Sequence, residues 1–269
     1  MPRSRGKLIA LASAPAHEEA EDAHKILEYA LEASTSLLKA FDASRSARRA
    51  TGGNTTTEEQ DLLRAMLVFA GAGLDASVKR LIESCLPVLA RRASGVREAL
   101  EGFAARRLRD ESSTSGASAR GYALLASAIS SPTPQAAVVR AYVDDLIGSS
   151  LQSVDRVFEA LSALGIQKEV AVDREQLKTV FIARNNIVHE MDMDLSEKNR
   201  YRTTRRRDPM IAGVNTLLTL GWNIVGAVDK QLPKTISFQT QLVRNITPPS
   251  RTIALPRRKA GKPRQTKKK

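Results

Sequence analysis

Cysteine is almost missing from this chain. Cys85 is the only one in 269 residues, which excludes a disulfide framework and a cysteine-built zinc site. A reducing, cytoplasmic compartment is then the simplest expectation. Cys85 falls on the apolar stripe of a helix, where a small core residue is expected rather than a nucleophile. Aromatic residues make up only 4%, so alanine and leucine do most of the packing, a bias toward helix over sheet. No segment alternates as a half-buried strand does, and no run approaches the ~18 apolar residues of a bilayer span. A soluble chain with no membrane partner is expected. Residues 3–16 imitate a secretory leader, with Arg3, Arg5 and Lys7 ahead of LIALASAPA, but the apolar run is short and diluted by alanine and serine. Histidine is scarce as well. His17 and His24 sit among Glu18, Glu19, Glu21 and Asp22 and read as solvated. With no His/Asp/Glu cluster at ligand spacing, neither a metal nor a cofactor is expected.

What the chain has in excess is positive charge, +13 in all. Residues 249–269 hold nine cations and no acid: Arg251, Arg257, Arg258, Lys259, Lys262, Arg264, Lys267, Lys268 and Lys269. The stretch 199–207, NRYRTTRRR, adds Arg200, Arg202, Arg205, Arg206 and Arg207, leaving the remainder at −1. Charge gathered into two patches on a near-neutral body suits a polyanion, and RNA is the expected partner. Both patches are expected to bind backbone phosphates, and Tyr201, set among arginines, is a candidate for stacking on a base.

Apolar spacing predicts helices over about 17–41, 58–90, 93–109, 135–164, 173–191 and 209–232, with a short one ending at SPTP (131–134). Residues 1–57 read as an N-terminal segment of one amphipathic helix and a polar linker (43–57), 58–232 as the main helical domain, and 233–269 as an irregular, basic, disordered tail. Thr56 with Glu59 forms a capping-box signature, as does Asp173 with Gln176. Asp208–Pro209 reads as the start of the last helix. Trp222, the only tryptophan, reads as core or interface. The fold class is all-α.

The most specific feature is FIARNNIVHE, residues 181–190. Its helix has an apolar stripe of Leu177, Val180, Phe181, Ile187, Val188 and Met191, and Arg184 falls inside it. A guanidinium on a core-facing position is costly unless an anion meets it. Asn185 and His189 are four apart and share one side of the helix. An imidazole moves protons near neutral pH, from a ribose 2′-hydroxyl or to a leaving 5′-oxygen, and an arginine fork stabilises charge on a transferring phosphate. Asn185 can orient the ring or the phosphate. The same residues also fit a buried ion-pair donor and a histidine favoured by a helix C-terminus.

Arg184 and His189 enclose four residues with Asn185 directly after the arginine, and this RNNIVH resembles the signature of the HEPN (higher eukaryotes and prokaryotes nucleotide-binding) superfamily. LLRAMLVFAGAGLDASVKRLIESCL (62–86) looks like the first long helix of its RiboL-PSP-type branch, and TLLTLGWNIVGAVDKQL (216–232) like the closing one. The resemblance spans roughly 58–232. It implies a HEPN-like helical bundle acting as a homodimer, in which the Arg and His of two protomers form one metal-independent endoribonuclease site that leaves a cyclic phosphate. It also implies an assisting acid on the first long helix, at Asp75 by position, and toxin or antiviral-defence biology with an antitoxin or regulatory partner. A catalytically silent HEPN domain that binds nucleic acid or a protein is the alternative, and a structural interaction protein a further one.

Overall fold

The longest helix begins where the sequence places a cap. The Thr56 hydroxyl accepts the Glu59 N–H, and the Glu59 carboxylate accepts the Thr56 N–H, a reciprocal pair that satisfies two donors otherwise orphaned at a helix start. In this computed structural model, residues 6–49, 55–109, 117–193, 198 and 201–233 are described, and among them are eight helices and no strand. They are α1 (Glu18–Ala47), α2 (Thr57–Leu89), α3 (Ser94–Arg109), α4 (Ala117–Ser130), α5 (Pro134–Ile147), α6 (Val154–Ala163), α7 (Arg174–Glu190) and α8 (Arg207–Gln231). The fold is all-α. Contacts divide the chain into Met1–Leu232 and a second unit, 233–269. The expected basic tail, including Arg257, Arg258, Lys259 and Lys262, lies outside the described residues, as does Arg200.

α1 and α2 pack as an antiparallel pair along their length, because small residues let the two backbones approach. A Cβ added to Gly73 would lie 2.4 Å from that of Ala30. Hydroxyls cross the same seam: Ser77 donates to the Ala23 carbonyl at 2.8 Å and Ser84 to that of Glu19 at 2.7 Å. α8 closes the core against both helices, with Gly221 under Leu27 and Gly213 against Leu67 and Val180. It is the one described helix long and apolar enough to cross a membrane, but 67% of its most apolar window is buried inside the protein. Trp222 is part of that buried surface, and Cys85 is buried in the α1–α2 seam, where it donates to the Glu19 carbonyl.

Three features differ from the sequence reading. The helix expected over 135–164 is two, broken at 148–153. Gly148 ends α5, Ser153 caps α6 by accepting the Arg156 N–H, and Asp75 on α2 accepts the Leu151 N–H at 2.6 Å. The apolar spacing continued through a break that a distant carboxylate holds. α1 runs six residues past Phe41, its polar end retained by pairs reaching outside the helix: Arg45 and Arg48 on Glu59, and Asp42 on Arg207. Residues 6–16, the leader-like run, lie extended along α8. Gly6 N–H donates to Asp208, Ile9 N–H to Asn215, and the Ala16 and His17 N–H groups to Asp229. Eleven extended steps cover about 36 Å and the 21 helical steps from Asp208 to Asp229 about 32 Å, so the strap matches its helix in length.

α6 ends in a Schellman motif, with Gly165 at φ +70°, Ile166 N–H on the Leu161 carbonyl and Gly165 N–H on that of Ser162. That turn sends the chain toward Asp173, which caps α7 by accepting the Gln176 N–H at 3.0 Å. α7 then runs antiparallel to α2, with Arg184 opposite Gly71 and Asp192 opposite Arg64.

Candidate functional site: the seam of α2 and α7

Leu177, Val180, Phe181 and Ile187 bury one face of α7, and Arg184 lies in the middle of that face. It fits there because α2 presents a glycine. A Cβ built on Gly71 would touch the Arg184 side chain at Cγ (3.4 Å) and Nε (3.5 Å), so the guanidinium stem lies directly across bare backbone. Arg184 is half-buried. Its Nη1 donates to Asn185 Oδ1 at 3.1 Å, and Asn185 Nδ2 donates to the Gln152 carbonyl at 3.2 Å. Among the described residues no carboxylate lies within ion-pair reach of Arg184, although most other arginines of the central helices have one.

Asp75, one turn beyond Gly71 on α2, is already engaged. Its Oδ1 accepts from Leu151 N–H and from the Ser150 hydroxyl at 3.4 Å, and its Oδ2 pairs with Lys79 at 3.0 Å. Asp75 and Asn185 therefore grip the same connection, 150–152, from two helices. His189 is exposed near the end of α7. Five helical steps turn it about 140° from Arg184 and carry it about 7.5 Å along the axis, so within one chain the imidazole and the guanidinium point apart. The exposed large apolar side chains of these two helices include Phe69, Ile182, Val188 and Met191.

The chain leaves α7 through two left-handed residues, Met191 (φ 52°) and Asp192 (φ 63°), each costing on the order of 1–2 kcal/mol for a side chain with a Cβ. It returns as an arm whose roots pair through a single bridge, Met193 to Arg202. Asp192 is fully buried and holds two arginines. Arg64 Nε donates to its Oδ2 at 2.7 Å, Arg205 Nε to the same oxygen at 2.9 Å, and Arg205 Nη2 to Oδ1. Arg64, 4% exposed, also reaches Asp61, Gln60 and the Thr203 carbonyl.

The arginines of 199–207 thus divide. Arg202 pairs with Asp61 at 2.8 Å, Arg205 with Asp192 and Arg207 with Asp42 at 3.0 Å. Arg206 and Tyr201 point into solvent, Tyr201 at 74% exposure. Burial pushes the Asp61 carboxyl up, but hydrogen bonds from Arg202 and Arg64 outweigh it and hold the group below its ordinary value.

The other two histidines are not solvated. His24 is buried, with Nε2 3.2 Å from the Ala12 carbonyl and Nδ1 3.7 Å from Glu28. His17 Nδ1 lies 2.8 Å from Asp229. Acids adjacent in sequence suggested a wet helix, whereas the groups that bury these rings come from the strap and from α8. Spacing could not have revealed Gly71, Arg64, Asp192 or the 150–152 connection either. Their only local sign is that Arg64, like Arg184, interrupts an apolar stripe. Among the described residues no three His, Cys, Asp or Glu side chains gather where a metal ion could bind.

What fold and site define together is an all-α protein with a half-buried arginine, an exposed histidine and a basic arm on one helix seam. Compared with known proteins, the chain matches no family model, no curated protein and no solved structure.

Proposed function

We propose that this chain is a metal-independent endoribonuclease of HEPN type that works as a homodimer. The observation that carries the reading is Arg184. Its guanidinium sits half-buried on a core-facing position over Gly71, oriented by Asn185 and without a carboxylate partner among the described residues. A cation so placed is a receptor for an anion supplied from outside, and its planar fork matches a phosphodiester.

His189 supplies the proton transfers. One imidazole takes the proton of the ribose 2′-hydroxyl. The 2′-oxygen attacks phosphorus, the bond to the 5′-oxygen breaks, and that leaving oxygen collects a proton from a second imidazole. The products are a 2′,3′-cyclic phosphate and a 5′-hydroxyl. Two imidazoles on one phosphate require two chains, and the divergence of Arg184 and His189 within a single helix argues the same way. Exposed Phe69, Ile182, Val188 and Met191 on the two helices of the site offer apolar surface for a second copy. Tyr201 and Arg206 are the arm's contacts to RNA, and the basic tail adds phosphate contacts. Asp75 acts by holding 150–152 beneath Asn185 rather than by moving protons.

The test is RNA cleavage in excess EDTA. We expect products with cyclic-phosphate ends, lost in His189→Ala while helicity and dimerisation persist. Salt-sensitive RNA binding with no cleavage by concentrated wild-type protein on several RNAs would instead indicate a silent RNA-binding member of the superfamily. Absence of binding would remove both readings, and toxin or defence biology with a regulatory partner would fall with them.

A further inference from the structure

We propose that Asp192 is a positioning residue of this site: its buried carboxylate, clamped by Arg64 and Arg205, fixes the last turn of α7 and so the aim of His189. The inference rests on the ribonuclease reading for its functional meaning, although its geometry stands separately.

Asp192 follows His189 by three residues, beyond the point where α7 ends. A helix end is the part that frays most readily, with carbonyls that lack intrahelical partners. Here the end is tied. Asp192 N–H donates to the Asn186 carbonyl at 2.8 Å and Met193 N–H to that of Glu190 at 3.0 Å. The backbone at Met191 and Asp192 is left-handed without a glycine at either position. Such a conformation persists only where its surroundings over-determine it, and it gathers at functional sites. The surroundings are on hand: Arg64 from α2 and Arg205 from the returning arm meet on one carboxylate with no exposure to water, and the Asp192 carbonyl accepts the Thr203 N–H at 2.7 Å.

One residue therefore joins three parts of the site. α2 carries Gly71 beneath Arg184, α7 carries Arg184 and His189, and the arm carries Tyr201 and Arg206. Because α2 and α7 are antiparallel, Arg64–Asp192 pins the His189 end of the seam while Gly71–Arg184 occupies its middle. Loosening the first contact moves the imidazole relative to the guanidinium without touching either. A small displacement of that kind lowers the rate of the chemical step more than it weakens binding.

The test compares Asp192→Asn with wild type. Asparagine tolerates the left-handed conformation and keeps the side chain's shape, but it cannot hold two arginines by charge. The single-turnover cleavage rate in EDTA is expected to fall by on the order of tenfold. RNA affinity, measured in a His189→Ala background, should stay within about threefold. Amide exchange is expected to quicken at 187–193 and 201–206 with α1 and α2 unchanged. An unaltered rate, or a loss of affinity as large as the loss of rate, would overturn the proposal. If Asp192→Asn does not fold, Arg205→Gln, which leaves Arg64 in place, takes its part with the same pattern at smaller amplitude. Should wild-type protein cleave nothing, the ribonuclease reading fails by itself. The exchange comparison still decides whether Asp192 holds the end of α7, and unchanged exchange there sinks the proposal.

Discussion

Two arginines on the α2–α7 seam meet opposite fates. Arg64 is buried and donates to Asp61, Gln60, Asp192 and the Thr203 carbonyl. Arg184 occupies an equally apolar face and, among the described residues, its guanidinium meets only the neutral Asn185 amide. Removing one partner of a buried pair leaves the other uncompensated, so Arg64→Met should cost about 3–5 kcal/mol of stability. Arg184→Met removes a charge with no carboxylate partner among the described residues. It should leave the thermal midpoint equal or higher while abolishing RNA cleavage, the usual trade between stability and a functional group. A drop of several degrees in the midpoint would instead mark Arg184 as a structural donor. Tyr201→Ala should weaken single-stranded RNA binding by about 1–3 kcal/mol, read by filter binding. Arg184 was legible in the sequence because it interrupts a stripe. That no carboxylate among the described residues meets it was not, and neither was the engagement of Arg202, Arg205 and Arg207. Arg202 and Arg207 meet acids that lie 141 and 165 positions away along the chain, and no local pattern encodes such a distance.

Helix identity was legible wherever apolar spacing and a cap agreed, as at Thr56–Glu59 and Asp173–Gln176. It failed at 148–153, where Asp75 holds a break that the spacing ran through, and at residues 6–16, where the strap draws its partners from α8. Three of the carboxylates that tie elements together have lowered pKa values. Burial raises Glu59, but the hydrogen bond from Arg48, the Thr56 N–H and two arginine charges lower it further, so its net pKa lies below the ordinary 4.5. Burial likewise raises Asp229, and the N–H groups of Ala16 and His17 with the His17 ring bring it below the ordinary 3.8. Asp61 is lowered too. A depressed carboxylate stabilises the fold above its unfolded value and loses that contribution as pH falls through its folded value. The thermal midpoint should therefore hold steady down to about pH 5 and decline below it. Asp229→Ala should free the strap at neutral pH, detected as protease cleavage within 6–16 while α1 and α2 stay protected. A strap that resists protease in this variant would show that the hydrogen bonds to Asp208 and Asn215, with the packing of Leu8, Ile9 and Ala12, suffice to hold it.

For the whole molecule, composition anticipated the all-α architecture, since few aromatics and much alanine favour helix packing over sheet in building a core. Gly73 against Ala30 and Gly221 against Leu27 are the direct expression of that economy of side-chain volume. The position of charge along the chain is read from sequence alone, but not its use: Arg202, Arg205 and Arg207 are paired with acids, and the basic tail lies outside the described residues. Deleting residues 257–269 should reduce the slope of log affinity against log salt by up to ~0.7 per lost phosphate contact on single strands. An unchanged slope would mean the tail makes no contact with RNA. Pairing between copies could not be read from one chain, yet the proposed chemistry depends on it. The decisive measurement co-expresses wild-type and His189→Ala chains under different tags, purifies the mixed dimer through both, and assays RNA cleavage in EDTA. One site that needs an imidazole from each protomer is left with a single imidazole in that dimer, and a rate close to that of the His189→Ala homodimer is expected. A mixed dimer that keeps about half of the wild-type rate would show a complete site in each protomer and contradict a shared phosphodiester site.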